Sequence, residues 1–184
     1  MRKRTRFYAR CIPDFSYKSV YEIPYNGLFI RGVTTLFFDL DNTLIAYNQP
    51  KLSEKLVEFL NNLSNYFQII ILSNNKKNRV EAAIGKNFQF VYSAKKPLKS
   101  GFKKALKMAN EPAYKVAVIG DQLLTDIYGA WRIQAARKIL VRPIRRNTDI
   151  LSTRINRYFE QKVMNKIKKK KPLMYDSRFK NYLG

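Results

Sequence analysis

Four short stretches of this sequence carry side chains able to handle a charged phosphate oxygen. Asp39-Leu-Asp41-Asn-Thr43 sets two carboxylates one residue apart, and Gly120-Asp121 with Asp126 adds two more. Ser73-Asn74-Asn75 offers a hydroxyl beside two amides, and Lys95-Lys96-Pro97 a pair of ammonium groups. Carboxylates brought close together repel unless a cation or a proton lies between them. A hard cation resolves the conflict: Mg²⁺ prefers oxygen ligands in octahedral array and keeps water, so carboxylates, a backbone carbonyl, waters and a phosphate oxygen would fill its shell. The Lys96 ammonium and the Ser73 hydroxyl would then neutralise and orient phosphoryl oxygens, where the charge of a phosphoryl-transfer transition state lies.

Residues so far apart in sequence must be carried to one place by regular elements. Val33–Phe38 is a short apolar run of the kind buried on both faces of a sheet, and Ser53 caps a helical pattern carrying Leu56, Phe59, Leu60 and Leu63. The alternation recurs. Strands are expected at Phe67–Leu72, Phe88–Tyr92, Lys115–Ile119 and Lys138–Val141, with helices at Lys76–Ile84, Leu98–Asn110, near Leu123–Trp131, and from Ile150 to about Lys168. Five such units predict an α/β fold, a five-stranded parallel sheet with helices on both faces. Ligands bind such sheets outside the carboxyl ends of the strands, where strand order reverses, and all four polar clusters fall at or just beyond those ends. Residues 1–32, basic and aromatic with Pro13, Pro24 and Gly27, read as an irregular arm, 33–160 as the core, and 161–184 as a basic tail.

Composition narrows the chemistry. The 184 residues suit one domain, and 46% apolar content suits a folded one. There is no histidine, which removes Ser-His-Asp triads, His-bound zinc and phosphohistidine together. The single cysteine, Cys11, permits no internal disulfide, and Tyr17 stands where a cysteine phosphatase needs Arg, so Cys11 reads as a packed residue. No run approaches the roughly 18 apolar residues of a membrane span, and no apolar signal-peptide core follows the basic start. The expected location is therefore the cytoplasm.

The ordered set DxDxT, strand-end Ser, Lys and GDxxxxD resembles the haloacid dehalogenase (HAD) phosphatase superfamily. Lys18-Ser-Val-Tyr-Glu-Ile-Pro24, Ala94-Lys-Lys-Pro97, Gly120–Asp126 and Thr153-Arg-Ile-Asn156 are similar to its YqeG-like, class IIIA branch, over nearly the whole chain. The resemblance implies a Rossmann-like HAD domain in which Asp39 attacks phosphorus to form an aspartyl phosphate. Asp41 would protonate the leaving oxygen and then activate water. Mg²⁺ would be held by the Asp39 side chain, the Asp41 main-chain carbonyl and Asp121, with Asp126 either a further ligand or a partner of one. Ser73 and Lys96 would bind phosphate, helped by the amides of Leu40, Asp41 and Asn74, while Thr43 braces the loop. Of the two lysines Lys96 is chosen because the family lysine precedes proline. Response-regulator receivers also phosphorylate an Asp, but on strand three, which here ends in Tyr92-Ser93-Ala94.

HAD enzymes often select substrates with an inserted cap. Only 34 positions separate Asp39 from Ser73 and 23 separate Ser73 from Lys96, room for one helix and one strand each, so no cap domain and an open site are expected. Such a site suits a large or surface-bound substrate that itself excludes water. The 36 Lys and Arg against 13 Asp and Glu leave a net charge of +23, which attracts anionic lipid, nucleic acid or phosphorylated substrates alike. Arg2, Lys3, Arg4, Arg6 and Arg10 form one basic cluster; Lys162, Lys166 and Lys168–Lys171 form another, interleaved with Ile155, Phe159, Val163 and Ile167 as in a helix lying on a membrane, or simply as a solvated tail. YqeG-like relatives are thought to dephosphorylate phosphatidylglycerophosphate, which implies a peripheral position on the inner membrane face. The alternatives are a phosphatase of nucleic-acid ends or ribosome-associated substrates, its arm residues Arg6, Phe7, Tyr8 and Arg10 following a phosphate backbone, and a non-catalytic RNA- or membrane-binding module on the same fold.

Overall fold

The computed structural model describes residues 5–85, 87–148 and 150–183, so Arg2, Lys3 and Arg4 of the first basic cluster lie outside the described residues. Its strands are β1 (Phe15–Tyr17), β2 (Thr35–Phe38), β3 (Gln68–Leu72), β4 (Gln89–Val91), β5 (Val116–Gly120) and β6 (Arg137–Val141). They form one parallel sheet in the order β1-β6-β5-β2-β3-β4. The helices are α1 (Phe7–Arg10), α2 (Tyr25–Ile30), α3 (Glu54–Ser64), α4 (Lys77–Ile84), α5 (Lys99–Ala109), α6 (Tyr128–Ile133), α7 (Leu151–Lys170) and α8 (Pro172–Leu183).

The sheet has six strands, not the five expected. The extra one, β1, falls inside the stretch read as an irregular arm, and its three residues are too few to show an alternation. Contacts distant in sequence define it instead. The Asp14 carboxylate accepts from the Lys138 amide at 2.8 Å and pairs with Lys138 Nζ at 2.8 Å, while the Arg142 amide donates to Tyr17 O at 3.0 Å. On the free side of β1, Arg178 of α8 donates to Asp14 O, and Asn181 Nδ2 donates to Ser16 O at 2.9 Å. α8 thus covers the sheet edge that β1 would otherwise leave bare.

Successive side chains of a strand point to opposite faces, so each strand feeds two cores. Leu36 and Phe38 join Leu28 of α2, Leu56 and Leu60 of α3 and Val80 of α4 on one face. Phe37, Ile70 and Val118 meet Phe102 and Ala105 of α5 and Ala130 of α6 on the other. Ser53 caps α3 by accepting the Leu56 amide at 3.3 Å. A third cluster joins Tyr8 of α1, Leu140 of β6, Met164 and Ile167 of α7 and Phe179 of α8. Ile167 is therefore inside the protein, so the stripe Ile155–Phe159–Val163–Ile167 does not face outward as a unit. Cys11 is packed, and burial above all pushes its thiol up to about 12. Among the described residues one helix, α3, lies between β2 and β3 and one, α4, between β3 and β4, with no cap in either stretch. Among the described residues no helix is long and apolar enough to cross a membrane.

Candidate active site

The chain leaves β2 toward β3 on one side and returns to β5 on the other, so the crevice beyond the carboxyl ends of β2 and β5 is where strand order reverses. Asp39 follows β2 directly, and its amide donates to Ile119 O at 2.9 Å, extending the ladder by one residue. Asp121 follows β5. The loop after Asp39 closes tightly: Leu44 and Ile45 amides donate to Leu40 O, and Asn42 turns it with φ of 65°. Thr43 is buried within this loop, its Oγ1 without a hydrogen-bond partner. Ser73 directly follows β3, its amide donating to Val91 O at 3.0 Å.

Lys96 reaches the crevice on a loop fixed from two sides. Asn74 accepts the Lys96 amide at 2.7 Å and donates to Lys96 O at 3.1 Å. Below it, α5 comes so close that a Cβ on Gly101 would lie 2.2 Å from Ala94 O, an approach only glycine permits. The outcome separates the lysine pair: Lys96 is buried and Lys95 exposed.

At the centre the Lys96 ammonium donates to Asp39 Oδ1 at 2.5 Å and to Asp126 Oδ1 at 2.7 Å. Asp126 Oδ2 accepts the Gln122 amide at 3.1 Å, and a Cβ on Gly120 would sit 2.3 Å from Asp126 Cγ, so the Gly-Asp pair admits Asp126 by having no side chain in its way. Asp121 Oδ2 accepts from Arg157 of α7 at 2.5 Å. Asp39, Asp121 and Asp126 each offer an oxygen, and these lie within 4.8 Å of one another. Asp39 Oδ2 and Asp121 Oδ1 are buried without a hydrogen-bond partner. Two orphan carboxylate oxygens at neighbouring strand ends, beside a third acid, are the donor set a hard divalent cation takes.

Burial pushes the Asp39 carboxyl up to about 7; Lys96 opposes the rise, while Asp126 and Asp41 add to it. Burial raises Asp121 well above the ordinary range too, against the pull of Arg157. For Lys96 burial acts downward, but Asp126 and Asp39 outweigh it and hold the ammonium protonated.

The Asp41 carboxylate faces a different set. It accepts from Arg79 at 2.9 Å, from Asn75 Nδ2 at 2.7 Å and from Ser73 Oγ at 3.5 Å, so the atom left for a cation is its main-chain carbonyl. The crevice above is about 240 Å³, walled by Tyr47 on one side and by Thr153 and Asn156 of α7 on the other. Of the eight expected residues, Asp39, Asp41, Ser73, Asn74 and Lys96 line it; Asp121 and Asp126 lie buried beside Asp39 behind that wall, and Thr43 is packed within its loop and does not reach the crevice. The Asn74 side chain is spent on Lys96, which leaves its main-chain amide as the group free to meet phosphate.

Sequence reasoning missed Arg79, Arg157 and Glu160, and noted Asn75 only as an amide beside Ser73 without its role in holding Asp41. Glu160 is buried, accepts the Leu124 amide at 3.0 Å and is pushed up to about 7 by burial, with Leu124 and Arg157 opposing. Arg157 directly follows the Thr153-Arg-Ile-Asn156 stretch, a signal that could have flagged it; Arg79 looks in sequence like any basic residue of a surface helix.

Residues 46–132 match the haloacid dehalogenase-like hydrolase family model. Over 167 residues, 90% of this chain and 96% of the relative, the sequence is 31% identical to the "Probable phosphatase YqeG" of Bacillus subtilis (strain 168). A crystal structure of an uncharacterized protein from Listeria monocytogenes serotype 4b superposes with a TM-score of 0.48 at 19% identity, covering 59% of this chain and 78% of that one.

Proposed function

The chain belongs to the haloacid dehalogenase-like hydrolases and is a phosphatase of the YqeG-like kind, and on that ground we propose that it cleaves phosphomonoesters through a phosphoaspartate on Asp39, with Mg²⁺ as cofactor and an anionic phospholipid phosphate such as phosphatidylglycerophosphate as substrate. The observation that carries the reading is the buried knot of Asp39, Lys96 and Asp126 beside Asp121, at the strand ends where order reverses.

Asp39, Asp121 and Asp126, with the Asp41 carbonyl, would hold Mg²⁺, which supplies charge to offset that of the nucleophile and the phosphoryl oxygens. A carboxylate oxygen of Asp39 attacks phosphorus while the ester oxygen departs, taking a proton from the Asp41 carboxyl. The loop fixed by Asn74 holds the Lys96 ammonium against Asp39 and the incoming phosphoryl oxygens, and Ser73 Oγ adds a donor. In the second half Asp41 takes a proton from water as the water oxygen attacks the phosphoaspartate. Phosphate leaves and the Asp39 carboxylate is restored. Arg79 and Asn75 keep the Asp41 carboxyl pointed at the crevice through both halves.

Asp39→Asn keeps the shape and removes the nucleophile. It should abolish turnover on phosphatidylglycerophosphate and on an aryl phosphate while the protein stays folded; a variant hydrolysing at near-parental rate would refute the role. Beryllofluoride in crystals should occupy the Asp39 side chain. The lipid assignment draws on the uncapped crevice and the +23 charge. A nucleic-acid end is the second reading. It is favoured by the stacked, partly exposed rings of Tyr128 and Trp131, 5.9 Å apart with Arg10 and Arg132 beside them, a platform of the kind on which bases stack. Faster hydrolysis of phosphorylated oligonucleotides than of lipid would move the assignment there.

A further inference from the structure

The apolar stripe of α7 is divided between two environments. Met164 and Ile167 are sunk in the body of the protein, whereas Ile155 and Phe159 are half exposed, at 49% and 50%. Beside Phe159 runs α1, whose Phe7 is 48% exposed, and between the two helices lies a groove of about 600 Å³. That volume falls within the roughly 300–1,000 Å³ of small-molecule sites.

The floor of the groove is apolar, formed by Phe7, Leu124, Phe159 and Val163, and its rim is cationic, formed by Arg6, Lys162 and Lys166. The rim ammoniums rest on aromatic rings: Lys162 lies 4.4 Å from the Tyr158 ring centre and Lys166 5.8 Å from that of Tyr8. Such cations keep most of their charge available to an anion outside. An apolar floor under a cationic rim complements an amphiphile with an anionic head, and suits neither a nucleic-acid backbone nor a purely polar surface.

The groove is joined to the catalytic crevice through shared elements. Leu124 stands three residues after Asp121, and its amide is held by Glu160 of α7. Thr153 and Asn156, on the first turns of the same helix, line the crevice. One helix therefore borders both the crevice and the groove.

We propose that this groove takes one acyl chain of an anionic phospholipid, with Arg6, Lys162 and Lys166 against the head groups, so that the α1–α7 edge meets the bilayer and the crevice opens beside it. The inference rests on the lipid-phosphate reading above and deepens it, since it assigns the surface by which the substrate's membrane is met.

The full chain is mixed with phosphatidylcholine vesicles with and without phosphatidylglycerol, and bound protein is measured by sedimentation. The parent should bind the anionic vesicles only, and Phe159→Asp and Phe7→Asp should each weaken binding roughly tenfold or more, with unchanged circular dichroism. Phe159→Trp should be quenched by phosphatidylglycerol brominated along its chains, beyond the quenching of Trp131 in the parent. Equal binding by Phe159→Asp, or no added quenching, overturns the groove and leaves the substrate reading standing. A parent that hydrolyses detergent-dispersed lipid phosphate yet ignores vesicles overturns it equally. Anionic-vesicle binding through Phe159 without any lipid hydrolysis upholds the groove and overturns the substrate alone. Protection of the groove by single-stranded RNA rather than lipid would assign the surface to nucleic acid and refute the proposal.

Discussion

Replacing Lys96 by Met keeps the length and bulk of the side chain and deletes the ammonium. That ammonium lies 2.5 Å from Asp39 and 2.7 Å from Asp126, its side chain 3% exposed and that of Asp126 only 1%. Water cannot replace it, and two buried carboxylates lose their shared counter-charge while Asp121 adds a third negative group nearby. Removing one partner of a buried ion pair costs about 3–5 kcal/mol. In a chain of this size that corresponds to a fall in Tm of roughly 6–20 °C. Thermal unfolding followed by circular dichroism in EDTA at pH 8 reads it directly. The loss should shrink at pH 5.5, because the Asp39 carboxyl, already raised to about 7, takes up a proton there and no longer needs a cation. Millimolar Mg²⁺ at pH 8 should recover part of it by binding the freed carboxylates of the folded state alone. A Lys96→Met protein whose Tm in EDTA at pH 8 stays within about two degrees of the parent would show that the carboxylates are not held as described.

Gly120→Ala places a methyl 2.3 Å from Asp126 Cγ, so Asp126 must move off Lys96; we expect a Tm loss of several degrees and a weakened Mg²⁺ affinity, both measurable by calorimetry, and an unchanged affinity would refute the packing argument. Glu160→Gln should be most stabilising in alkaline buffer. With the native carboxyl raised from 4.5 to about 7, the folded state binds the extra proton between these values, so parental stability falls as pH rises through that window, by about 3 kcal/mol at the top. The variant still accepts the Leu124 amide and should match the parent near pH 4.5 yet exceed it above pH 7; urea unfolding at both pH values checks this, and a constant difference would contradict it.

The strands β2 to β6 were legible because each falls in a β-rich apolar run followed by a helical pattern, and the central ones, β2, β3 and β5, are buried almost throughout. The candidate cluster was legible for a related reason: its members sit at or just beyond strand ends, where the fold class itself says to look. β1 was not, since three residues carry no period and the partners they pair with, Ile139, Leu140 and Val141, lie far along the chain in β6. α8 left a fainter trace. Tyr175, Phe179 and Tyr182 recur at spacings of four and three, but the lysine run before them suggests a solvated tail, and only the packed cluster with Tyr8 and Leu140 shows what they meet. Arg79 and Arg157 escaped because a charge pairs with whatever the fold brings near it, which no local spacing encodes.

The lock between β1 and α8 ties the earliest strand to one of the latest helices. A nascent chain synthesised as far as Val141 already has every strand, yet the outer hydrogen-bonding groups of Asp14 and Ser16 are still open to any neighbouring polypeptide. They are sealed only when Arg178 and Asn181 have left the ribosome, and the same turn of helix brings Tyr182 within 3.4 Å of the Asp121 carbonyl. Closure of the sheet and completion of the acidic pocket thus belong to one late event in the making of the molecule.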